Sequence, residues 1–171
     1  MIVRYILSLL LIICINSCGF YSFSGASISN DSKTVSVSYF KNTAGSTQPM
    51  LSQIMTEKLK DYFVDQTNLT LVNLTGDLSF TGEIVKYDIS PIDIKSNEVA
   101  GKNRLSISVN VKFINQQNDG GNFEQNFTRY RDYESALNIS DIETVLIEEI
   151  TSEIAEDIFN KSVVNWKKRI L

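Results

Sequence analysis

Two periodicities divide the chain after a short apolar start. The plainest runs from Leu105 to Phe113. Leu105, Ile107, Val109, Val111 and Phe113 take one face, and Ser106, Ser108, Asn110 and Lys112 take the other. A period of two over that length predicts a half-buried strand. Lys33 to Phe40 repeats it, with Val35, Val37 and Tyr39 inward. Leu69 to Leu74 predicts a short strand and Leu78 to Ile89 a longer one. In the longer one the inward set passes from Leu78, Phe80 and Ile84 to Val85, Tyr87 and Ile89. A phase change of that kind, near Gly82 to Val85, predicts a bulge. Phe123 to Tyr133 turns Phe123 and Phe127 inward. It follows the loop residues Asp119-Gly120-Gly121 and predicts the second arm of a hairpin.

Two other stretches have helical spacing. Pro49 opens the first, where a missing N–H costs nothing. Leu51, Ile54, Met55, Leu59, Tyr62 and Phe63 form its apolar stripe. Ser140-Asp141-Ile142-Glu143 reads as a capping box opening the second. That helix is expected to reach the neighbourhood of Lys168, with Ile142, Val145, Leu146, Ile150, Ile154, Ile158 and Phe159 buried. Its acids lie early and Lys161, Lys167, Lys168 and Arg169 lie late, which suits the helix dipole. Lys41 to Gln48 and Pro91 to Asn103 are polar connections. The order is β-α-β-β-β-β-α. It predicts an α+β two-layer sandwich: a mostly antiparallel sheet of four to five strands with two helices on one face. The other face is then solvated or held by a polar partner.

The first residues are of another kind. Arg4 precedes a short apolar run, Tyr5 to Ile15. A membrane span needs about 20 apolar residues, whereas a secretory signal needs only about 7–15. The run ends in Ile15-Asn16-Ser17-Cys18-Gly19. Small Ser17 just before Cys18, with aliphatic Ile15 three before it, is a lipobox pattern. Cys14 is preceded by bulky Ile13 and does not fit. The expected division is residues 1–17 as lipoprotein signal, 18–32 as lipidated segment and 33–171 as a single α+β domain. Competing readings are a plain signal peptide with a stray cysteine and an uncleaved anchor. Two or more acyl chains anchor stably, because each buried CH₂ contributes about 0.8 kcal/mol. Gly19, in place of an Asp that would retain the protein at the inner membrane, points to the outer membrane.

Charge and composition narrow the function. Once Arg4 leaves with the signal, 154 residues carry 15 basic against 20 acidic side chains. Nucleic-acid binding would show a basic excess. The 171 residues include no histidine, and both cysteines fall within the first 18. That removes Ser-His and Cys-His catalysis and histidine-bearing zinc sites. The acids of the second helix lack the kinked, oxygen-rich loop of a calcium site. No catalytic or metal-binding set is expected, and no cofactor beyond the lipid on Cys18.

Several stretches carry a family likeness. They are Cys18-Gly-Phe-Tyr-Ser-Phe-Ser-Gly, Val35-Ser-Val-Ser-Tyr-Phe-Lys-Asn, Gly76 through Pro91, Phe123-Glu-Gln-Asn-Phe and Glu156-Asp-Ile-Phe-Asn-Lys. In their order the chain resembles the LptE family, the lipopolysaccharide-assembly lipoproteins of Gram-negative outer membranes. The resemblance implies a non-enzymatic plug inside the barrel protein LptD, helping to assemble it and to move lipopolysaccharide outward. Some members engage the anionic glycolipid through basic residues. By chemistry alone the candidates here are Lys95, Lys102 and Arg104 in the polar connection, with Arg129 and Arg131 on the last strand. The competing reading is scattered surface charge. The alternative function is a periplasm-facing carrier of lipid or small molecules, which would need an apolar pocket between sheet and helices.

Overall fold

In the computed structural model, residues 32–45, 48–92, 101–117 and 121–164 are described. Cys18, Lys95, the signal segment and the basic end beyond residue 164 lie outside them. The elements are β1 (Thr34–Val37), β2 (Lys41–Asn42), α1 (Leu51–Gln66), β3 (Thr70–Leu71), β4 (Leu78–Ile92), β5 (Lys102–Asn115), β6 (Phe123–Glu134) and α2 (Ile139–Phe159). A π turn, Asn160–Val164, continues α2.

The six strands form one sheet in the order β3-β1-β4-β5-β6, with β2 also beside β4. The long ladders, β4–β5 and β5–β6, are antiparallel. The short ladders of β1 with β3 and β4, and of β2 with β4, are parallel. The sheet is therefore mixed, with its antiparallel part carrying most of the pairing.

Both helices lie on one face. Odd-numbered positions of β5 meet them: Leu105, Ile107, Val109 and Val111 are fully buried. From α1, Leu51, Met55, Leu59 and Phe63 enter the same core. A chain of rings links the layers. Phe63 lies 4.8 Å from Phe80, Phe80 lies 4.8 Å from Phe113, and Phe63 lies 5.1 Å from Phe159 of α2. Thr67 ends α1: its N–H and hydroxyl both donate to the Phe63 carbonyl, and the Leu69 N–H then bonds to that hydroxyl.

The β4 bulge falls at Val85, between the pairs Ile84–Val109 and Lys86–Ser108, inside the predicted interval. Several boundaries differ from expectation. β4 and β5 run on to Ile92 and back to Lys102, so Lys102 and Arg104 belong to a strand. The first strand is interrupted. Val37 pairs with Phe80 and Lys41 with Glu83, which leaves one extra residue on that strand. The extra residue reverses the side-chain phase, so Tyr39 is 61% exposed and Phe40 is fully buried. On α2 the cap is Asn138, whose side chain accepts the Ser140 N–H. Helical residues therefore start one before Ser140, and Glu143 is free for another partner. Val145 is 58% exposed, and Ile147, Thr151 and Ala155 take places in the buried stripe.

Candidate interaction surface

The face away from the helices is the open one. β5 sets its register: Ser106, Ser108, Asn110 and Lys112 stand opposite Tyr130, Thr128, Asn126 and Glu124 of β6. Opposite pairs share a face, so these rows are polar apart from the Tyr130 ring. They are tied laterally. Ser108 and Thr128 hydroxyls lie 2.7 Å apart, and the Asn110 amide donates to Asn126 at 2.8 Å. Arg104 binds Asp132 in a fork at 2.7 and 3.0 Å. Its guanidinium also sits 3.7 Å over the Tyr130 ring. The fork holds the Asp132 carboxyl below the usual carboxylate range.

Charge on this face is mixed. Lys86, Lys102, Arg104 and Lys112 are interspersed with Glu83, Asp88, Glu124 and Asp132. A surface of this kind is wettable but offers no concentrated field for an anion.

The candidate cations divide between the two faces. Lys102 and Arg104 share the open face. Arg129 and Arg131 stand opposite Ile107 and Leu105, on the side of the helices. At the sheet's edge they reach over the core to α2. Arg129 forks to Asp157 at 2.6 and 2.7 Å. Arg131 bonds Glu149 at 2.8 Å and Glu153 at 2.5 and 3.1 Å. Arg131 thereby holds the Glu153 carboxyl below its ordinary value. The acidic run of α2 is thus partly a latch between helix and edge strand. Parity along β6 could have shown it, since 129 and 131 share the phase of Phe127.

Two polar joints escaped the sequence reading. Glu143 accepts hydrogen bonds from the Tyr87 hydroxyl and the Gln48 amide, joining α2, β4 and the approach to α1. Burial, reinforced by the Glu143 carboxylate, pushes the Tyr87 phenol well above its usual value. At the opposite end Asp77 accepts from the Lys33 N–H, the Thr34 N–H and the Thr34 hydroxyl at 2.8 to 2.9 Å. Those bonds lower its pKa and fasten the start of β1 to the start of β4. Both joints link partners more than forty residues apart in sequence, beyond the reach of local patterns.

Large side chains fill the space between sheet and helices, with Phe40, Phe63, Phe80, Phe113, Met55 and Ile150 fully buried. Among the described residues no group of His, Cys, Asp or Glu is arranged to hold a metal ion. No described helix is long and apolar enough to cross a membrane.

Solved structures share the fold. A hypothetical protein from Chlamydia trachomatis aligns with a TM-score of 0.54 at 9% identity, over 78% of this chain and 99% of its own. A protein from Xanthomonas campestris aligns at 0.53 and 10% identity, over 80% and 87%. A minor lipoprotein from Acinetobacter baumannii aligns at 0.50 and 15% identity, over 75% and 91%. No curated protein matches the chain. The family model described as LptE, lipopolysaccharide-assembly, matches residues 32–162, all of β1 through α2, and the chain therefore belongs to the LptE family.

Proposed function

We propose that this protein is an outer-membrane lipoprotein, acylated on Cys18, that seats in an LptD-type barrel and helps assemble it for lipopolysaccharide transport. The observation carrying this reading is the open sheet face. It is polar along most of its length, with Ile92, Ile114 and Tyr130 the apolar exceptions, and mixed in charge, while the other face is sealed by two helices. A solvated barrel lumen is lined by polar side chains, and a face like this one can lie against it without burying unmatched charge. Acylation at Cys18, after removal of residues 1–17, would hold the plug near its barrel and raise its effective concentration there.

The role is structural, with no catalysis and no cofactor beyond the lipid. The filled interior favours it over the carrier reading, which needs room for a ligand. Of the described candidates for glycolipid contact, Lys102 and Arg104 stand on the wet face, but Arg104 is already forked to Asp132, so the reading rests on the barrel and not on glycolipid contact. Arg129 and Arg131 are assigned to the latch with α2.

Purification in mild detergent tests the reading. Wild-type protein should recover a large barrel in stoichiometric amount. Cys18→Ala should lose its acyl chains and leave the membrane fraction, with partial retention of the barrel. Recovery of wild-type protein alone would overturn the assignment.

A further inference from the structure

The two edges of the sheet are built differently. On one side β2 and β3 have two residues each, and an extra residue interrupts the line between β1 and β2. Short, broken edges resist pairing with another chain. The opposite edge is β6, twelve residues long, paired to β5 without a register shift and containing no proline.

The outward groups of β6 can be identified. The Ser135 N–H donates to the Gly101 carbonyl at 3.0 Å. Bonded and non-bonded pairs alternate along an antiparallel ladder. Counting back from Ser135, odd-numbered residues of β6 face β5 and even-numbered ones turn N–H and C=O outward. Tyr130 agrees, since its carbonyl accepts the Arg131 guanidinium at 3.0 Å instead of a strand. Among the described residues, the outward backbone groups of Asn126, Thr128 and Asp132 meet no protein partner. Inward-pointing charges often guard such an edge. Here Arg129 and Arg131 are drawn back onto α2 and neutralised there.

We propose that β6 is a strand-addition site that receives an extended, basic segment of the partner polypeptide. This rests on the reading that the protein works seated in a barrel. Charge selects the occupant. A strand beside β6 would run between Glu124 and Glu134 on the open face. On its other side lies the α2 flank, where Glu149, Glu153, Glu156 and Asp157 outnumber Arg129, Arg131 and the Lys161 that stands over Phe123. Main-chain bonds along the edge give such binding its strength, and alternate side chains give it selectivity. Lys or Arg at those alternate positions complements the acidic border.

The test uses full-length lipoprotein with its co-expressed barrel. Thr128→Pro removes one outward N–H and places a ring in the path of an added strand, while the bonds to β5 come from neighbouring residues. Thr128→Ala controls for the lost hydroxyl contact to Ser108. Thr128→Pro should recover roughly tenfold less barrel, and Thr128→Ala close to the wild-type amount. Equal recovery by both would overturn the strand-addition site and leave the barrel reading standing. Absence of barrel even with wild type would overturn that parent reading, and this inference with it.

Amide hydrogen exchange covers the case in which the proline variant misfolds. In the wild-type complex the even-numbered amides Asn126, Thr128 and Asp132 should slow at least tenfold relative to free protein, with odd-numbered ones slow in both. No change at the even-numbered amides would overturn the proposal. So would protection already present in the free monomer, or appearing on self-association alone. Those results would give the edge to residues 165–171 of this chain or to a second copy.

Discussion

Gly82→Ala should damage the fold more than its conservative chemistry suggests. Gly82 lies in the middle of β4, opposite Val111. A Cβ there would stand 2.4 Å from the Asn110 carbonyl oxygen and 2.7 Å from a ring carbon of Phe40, where real contacts stay above 3.0 Å. Neither neighbour yields easily. The Asn110 carbonyl belongs to β5, which is paired along both of its sides. Phe40 is fully buried, and its N–H is tied to the Thr56 hydroxyl of α1 at 3.1 Å. That hydroxyl is itself bonded to the Ser52 carbonyl at 2.7 Å. Opening the β4–β5 pair by at least 0.6 Å at that point is the route left.

Overpacking of this kind costs about 1–3 kcal/mol. The alanine returns about 0.4–1 kcal/mol by restricting the unfolded chain. The expected net loss is about 1–2 kcal/mol, or a melting point about 2–8 °C lower for a chain of this length. Thermal unfolding of protein starting at Gly19, followed by circular dichroism, measures it. Phe40→Leu in the same background should return part of the loss, because it relieves the ring contact and leaves the carbonyl contact. A melting point within about one degree of wild type would refute the packing argument.

Two further outcomes follow from the polar joints. Arg131→Met should cost less than about 1 kcal/mol, because the latch is partly exposed, and the difference should shrink in high salt. A loss insensitive to salt would mean that packing of the arginine stem dominates. Asp77, Asp132 and Glu153 are held below their unfolded values by hydrogen bonds and arginine neighbours. Their contribution is complete above the unfolded carboxylate range, near pH 4, and is lost as pH falls through the lower folded values. Stability should therefore drop below roughly pH 4, and Asp77→Asn should flatten that acid limb in a pH series of melts.

How far the sequence carried depended on which neighbours each element meets. β5 is paired on both sides, between β4 and β6, with one dry face and one wet face, so its alternation was plain. The Val85 bulge showed as a change of phase. α1 showed its stripe because Leu51, Met55, Leu59 and Phe63 all meet one core. The β1–β2 edge was misjudged because an inserted residue near Tyr39 and Phe40 exchanges inside for outside, and alternation alone carries no sign of it. The capping box at Ser140 lost to Asn138 because Glu143 is engaged by Tyr87 and Gln48, contacts visible only in three dimensions. Arg129 and Arg131 read as wet cations because arginine is normally exposed. Their long stems let them stand at a core position and still reach the acids of α2.

The central claim is that the polar sheet face lies against a barrel. Photo-crosslinking in cells addresses it directly, with a photoreactive residue at Asn110 or Lys112 on the open face and at Val145 on the exposed flank of α2. The account predicts adducts to one large barrel protein from Asn110 and Lys112, and few or none from Val145. Adducts from Val145 alone, with both sheet positions silent, would contradict it.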